Sequence, residues 1–109
     1  MSLSTHVLDT ANGEPAAGVS VRLDRSEGAD RWVLVALGRT DDDGRLRNWI
    51  PPRDWWPGRY RLLFDIAAYL GGDAFFPEVA ITFRVDDPGR HLHVPLLVSP
   101  FGYSTYRGS

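Results

Sequence analysis

Residues 91–98 read His91-Leu92-His93-Val94-Pro95-Leu96-Leu97-Val98. Side chains of an extended chain alternate between two faces. Leu92, Val94, Leu96 and Val98 therefore share one face, and His91, His93, Pro95 and Leu97 share the other. The first set is wholly apolar, which predicts a strand laid against a core. The same alternation recurs in Val19-Ser20-Val21-Arg22-Leu23. Further β-prone runs cover residues 3–8, 32–37, 46–50, 60–64, 79–85 and 103–107. Turn signals separate them: Asn12-Gly13, Asp43-Gly44, Pro57-Gly58, Gly71-Gly72 and Pro88-Gly89. Many short strands with frequent turns predict an all-β sandwich. One stretch differs. Asp65-Ile66-Ala67-Ala68-Tyr69-Leu70 offers an N-cap and helix formers, and Gly71-Gly72 stops it, so one short helix is expected.

The chain has 109 residues, the size of one domain, and a single domain over 1–109 is expected. No apolar run approaches the roughly 20 residues a membrane helix needs. The chain has no cysteine, which excludes disulfides, thiolate metal sites and a thiol nucleophile. It has no lysine either, which excludes Schiff-base chemistry and a Walker-type phosphate lysine. The formal net charge of −2 gives no global field for nucleic acid. The first residues show no signal-peptide pattern, so a cytoplasmic location is expected. Trp49, Trp55, Trp56, Phe75 and Phe76 exceed what one small core needs, and some are expected to cover a subunit interface. Trp55 and Trp56 suggest no role of their own.

Acid–base chemistry near neutral pH falls to His6, His91 and His93. The strand places His91 and His93 together on the face away from the core. Solvated histidines are the plain reading and a catalytic imidazole the sharper one. A zinc site completed by His6 is a third, and chance produces such a pair often. Residues 40–45 form an acidic turn, Thr40-Asp41-Asp42-Asp43-Gly44-Arg45. It is no EF-hand, because Pro52 stands where the bidentate glutamate belongs. Arg45 follows the turn, where a guanidinium can grip a planar, oxygen-rich ligand. The tail, Tyr103-Ser104-Thr105-Tyr106-Arg107-Gly108-Ser109, is β-prone nearly to its end and is expected to pack. Ser109 lacks a nucleophile elbow, so it is read as a hydroxyl for binding.

Four stretches together resemble the transthyretin-like proteins. They are Ser4-Thr5-His6-Val7-Leu8-Asp9-Thr10 with Gly13-Glu14-Pro15-Ala16, the Asp43-Gly44-Arg45 turn, Phe75-Phe76-Pro77-Glu78, and residues 91–109. The closing Tyr106-Arg107-Gly108-Ser109 is similar to the signature of the 5-hydroxyisourate hydrolases and unlike the hormone carriers of the group. The resemblance implies two four-stranded sheets with one short helix, and a homotetramer with sites between dimers. It implies hydrolysis of 5-hydroxyisourate to 2-oxo-4-hydroxy-4-carboxy-5-ureidoimidazoline in urate breakdown, without metal or organic cofactor. Carried over by position, His6, Arg45, His93 and Ser109 are catalytic, and Tyr106, Arg107 and Gly108 bind substrate. His91 stays outside this set. One histidine would activate water and the other donate or orient, with His6 the first choice as base. A carrier of small ligands without catalysis is the alternative.

Overall fold

The first strand, β1 (Leu3–Asp9), organises half of the molecule. The structure is a computed structural model that describes residues 2–108. Along β1, Leu3, Thr5, Val7 and Asp9 are buried, while Ser4, His6 and Leu8 lie on the outer face. The remaining strands are β2 (Glu14–Pro15), β3 (Ser20–Ser26), β4 (Trp32–Arg39), β5 (Arg45–Leu46), β6 (Gly58–Asp65), β7 (Glu78–Val85), β8 (Leu92–His93), β9 (Leu96–Ser99) and β10 (Gly102–Thr105). The first sheet runs β10-β9-β1-β2, with β5 and β8 also paired to β1. The second is the antiparallel β4-β3-β6-β7. The expected two-sheet, all-β architecture with one short helix is observed. The first sheet counts six segments instead of four because three two-residue strands pair with β1.

Two of those segments have a covalent cause. Residues 91–98 read as one strand, yet β8 and β9 are separate. Pro95 has no N–H to give the ladder. Hydroxyls substitute there: Thr5 Oγ1 donates to the Val94 carbonyl at 2.6 Å and Thr105 Oγ1 to the Pro95 carbonyl at 2.7 Å. The alternation survives the break. Leu92, Val94, Leu96 and Val98 are all buried, His91 is exposed and His93 is half-buried.

Between the sheets lie Val7, Leu23, Tyr60, Leu62, Phe64, Ile66, Val79 and Leu96, all fully buried. Each such side chain contributes roughly 1.5–3 kcal/mol by leaving water. Helix α1 (Ile66–Leu70) forms as expected. The Asp65 carboxylate accepts from Ala68 N, and Gly71 ends the helix at φ 72°. Tyr69 ties α1 to β1 by donating to Asp9 Oδ2 at 3.0 Å. Burial first, then this carboxylate, pushes the Tyr69 hydroxyl up to about 12. The aromatic excess divides. Trp55 is core, its indole donating to the Pro88 carbonyl, and Trp49 packs beside the core and donates to the Leu3 carbonyl. Trp56 carries the Arg25 guanidinium 3.8 Å above its ring. Phe75, Phe76, Phe101 and Tyr103 stay exposed.

Candidate active site

The site lies on the outer face of the first sheet, where three neighbours meet β1. Antiparallel pairing sets Arg45 of β5 opposite His6. Parallel pairing sets His93 of β8 beside Ser4. The tail then closes on β8: Gly108 N donates to the His93 carbonyl at 2.8 Å, an isolated antiparallel bridge.

The acidic turn is what aims Arg45. Asp41 Oδ1 accepts from the backbone N of Asp43 and of Arg45, both at 2.9 Å. The Arg45 amide above all holds this carboxyl below its usual range. Asp41 thus folds the turn, as Asx side chains do. Gly44 sits at φ 75°, and a Cβ there would stand 2.5 Å from the Val7 carbonyl oxygen. Only glycine permits both the left-handed turn and this approach to β1.

Each histidine has a defined neighbour. His6 Nε2 lies 2.8 Å from the Asp43 carbonyl oxygen. A carbonyl only accepts, so Nε2 carries the proton and Nδ1 is the remaining nitrogen. His93 Nδ1 lies 2.8 Å from Ser4 Oγ, which leaves Nε2. Burial pushes the His93 imidazole below the ordinary 6.5, and the neighbouring His6, Arg45 and His91 push the same way. Gly108 packs on this ring; a Cβ there would meet His93 Cδ2 at 2.6 Å. Glycine at 108 is therefore a steric requirement of the imidazole beneath it.

A hollow of about 230 Å³ opens here, lined by Ser4, Thr5, Arg45, Leu46, Arg47, His91 and His93. Among the described residues no carboxylate lines it. It is suited to a planar molecule with several oxygens and to negative charge developing during reaction. Arg45 and His93 share it, His6 borders it through its pairing with Arg45, and Gly108 covers the His93 ring. Tyr106 and Arg107 line a second cavity of about 340 Å³, with Phe83, Arg84, Asp86 and Arg90. That cavity contains no histidine. Ser109 lies outside the described residues. The sequence does not single out Ser4 or Arg47 and sets His91 outside the catalytic residues, though Arg47 stands two residues after Arg45 and so shares its face. Among the described residues no three His, Cys, Asp or Glu side chains gather to hold a metal. Among the described residues no helix is long and apolar enough to cross a membrane.

The family model described as HIUase/Transthyretin matches residues 3–108. The chain belongs to the HIUase/transthyretin family. Within this family, a 5-hydroxyisourate hydrolase of Caulobacter vibrioides is 47% identical over 98% of this chain and 97% of that protein. The solved Klebsiella pneumoniae 5-hydroxyisourate hydrolase is 36% identical, with a TM-score of 0.83 over the full length of both chains. Sea bream transthyretin, solved in complex with thyroxine, is 30% identical with a TM-score of 0.91, covering 99% of this chain and 95% of that one. The hydrolase and the thyroxine-bound transthyretin share this backbone, so function rests on the side chains in the hollow.

Proposed function

We propose that this protein hydrolyses 5-hydroxyisourate to 2-oxo-4-hydroxy-4-carboxy-5-ureidoimidazoline, as a single-domain, cofactor-free, cytoplasmic enzyme of urate breakdown. One observation carries the reading. The hollow joins a half-buried imidazole of lowered basicity, His93, to Arg45, and the Tyr-Arg-Gly tail covers that imidazole through Gly108. Relatives with hydrolase names support the substrate.

The base role goes to His93. It is neutral near pH 7 and has Nε2 free for water. Water loses a proton to Nε2 and its oxygen adds to the ring carbonyl. Arg45 holds the developing oxyanion and the substrate oxygens. Collapse breaks the ring C–N bond, and the leaving nitrogen takes a proton. His6, its Nε2–H committed to the Asp43 carbonyl, orients water or substrate by accepting at Nδ1. Gly108 and Ser109 complete the substrate contacts there, while Tyr106 and Arg107 line the second cavity. The carrier reading fits less well, because a hollow lined by two arginines and two histidines is a poor seat for a largely apolar ring.

The protein is assigned a homotetramer with sites between dimers. Phe75, Phe76 and Tyr103 support it: their rings stack edge to face at 4.9 and 5.5 Å on an exposed surface. Such a cluster marks an interface.

The test generates 5-hydroxyisourate in place from urate with urate oxidase and follows its ultraviolet decay in chelator. Decay well above the spontaneous rate, lost by about 10²–10⁴-fold in His93→Ala and Arg45→Ala, is the expected result. No acceleration by untagged protein rejects the reading and leaves the carrier.

A further inference from the structure

Ser4 holds two imidazoles at once. Its Oγ lies 2.8 Å from His93 Nδ1 and 3.0 Å from His91 Nε2. The strand register makes this arrangement: Ser4 pairs with His93, and His91 stands two residues earlier on the same face. His93 is half-buried and His91 is exposed. A hydroxyl has one proton, so Ser4 donates to one ring while accepting from the other. The tautomers of the two histidines are thereby coupled.

The charges around His93 give the coupling a use. Arg45 and Arg47 of the hairpin share the hollow and His6 of β1 borders it; the nearby Asp41 carboxylate feels both arginines but lies outside the hollow, on the backbone amides of Asp43 and Arg45. A full imidazolium on His93 would form among cations. His91 lines the same hollow but is exposed, so charge there is screened by water. Resting on the hydrolase reading above, the geometry points to Ser4 as a proton relay that moves the charge made in the base step from His93 to His91.

The proton accounting closes. At rest His93 Nδ1–H donates to Ser4 Oγ, Ser4 O–H donates to His91 Nε2, and His91 carries its own proton on Nδ1. When water gives its proton to His93 Nε2, the Nδ1–H bond breaks toward Oγ and the Oγ–H bond breaks toward His91 Nε2. His93 is then neutral with its proton on Nε2, and His91 is the cation. When the ring C–N bond breaks, the Nε2 proton passes to the leaving nitrogen. The Nδ1 proton returns from His91 through Ser4, and the resting state is restored. Ser4 and His91 are thus positioning residues acting through His93.

The test compares wild type, Ser4→Ala, Ser4→Thr and His91→Gln across pH. Ser4→Ala and His91→Gln are expected to lose about tenfold in kcat at unchanged KM, short of the roughly 10²-fold of a lost base. Ser4→Thr keeps the hydroxyl and the rate. The acid-side slope of kcat is expected to fall in Ser4→Ala and His91→Gln, since either breaks the chain behind His93. Wild-type kcat and slope in both deletions, or a Ser4→Ala loss that threonine does not restore, overturns the relay. Imidazole ¹⁵N NMR of the resting wild-type protein reads the chain without substrate. Nδ1–H tautomers on both histidines, lost in Ser4→Ala, support it. An Nε2–H tautomer on His93 overturns it. A wild type inert toward 5-hydroxyisourate with the coupled tautomers intact rejects the hydrolase reading and with it the relay's catalytic use, while the hydrogen-bonded chain itself stands.

Discussion

Gly108 and His93 occupy space that only one of them can fill with a side chain. A methyl at 108 would press to 2.6 Å of His93 Cδ2, and the ring or the tail must move. A displacement of about 1 Å at a reacting group can cost 10²-fold in rate. Gly108→Ala is therefore expected to lose on the order of 10²-fold in kcat/KM with a small change in melting temperature, read by steady-state kinetics beside calorimetry. The lowered His93 basicity gives a second expectation. The unfolded imidazole titrates near 6.5, the folded one lower. Between these values the unfolded chain binds more protons, so stability rises with pH across that window. His93 makes no contribution to the slope above it, and its penalty grows as pH falls through the folded value. Urea titrations from pH 5 to 7.5 should show that slope, reduced in His93→Gln. The acid limb of kcat/KM should likewise lie below 6.5.

At the scale of elements, the turn between β4 and β5 sets the distance of Arg45 from β1. Gly44 makes this turn at φ 75° beneath the Val7 carbonyl. Val7 N in return donates to the Gly44 carbonyl at 2.8 Å. Gly44→Ala combines a left-handed strain of about 1–2 kcal/mol with a backbone clash. A stability loss of about 2 kcal/mol or more is expected in urea denaturation, together with a raised KM as Arg45 shifts. A variant with normal stability and normal KM would show that the turn does not position the guanidinium. The Pro95 break works at the same scale. It ends the β8 ladder beyond His93, while the Thr5 and Thr105 hydroxyls keep the carbonyls there satisfied.

For the molecule as a whole, the exposed rings matter most. Phe101 is 79% exposed and Phe75 67%, far more than a free surface needs. If they are covered by a second copy, melting temperature rises with protein concentration. Tyr103→Glu, at the edge of this cluster, should shift the protein to a smaller species in analytical ultracentrifugation and lower its melting temperature. A wild type that sediments as a monomer at micromolar concentration would remove the tetramer.

The sequence by itself determined the sandwich, because alternation and turn residues are local. Residues 19–23 and 91–98 reveal their inward faces without any partner. The helix after Asp65 needed only its cap and its glycine stop. The motifs also picked out His6, Arg45, His93 and Gly108. Only the tertiary structure decided what these residues do to one another. Hydrogen bonds across the sheet depend on register, and register joins residues 87 and 89 positions apart, as Ser4 is joined to His91 and His93. The short pairings of β2, β5 and β8 were hidden for the same reason, since each exists only because β1 lies beside it. The need for glycine at 108 belongs here too: nothing local forbids a side chain there, and the obstacle is an imidazole brought in by the fold.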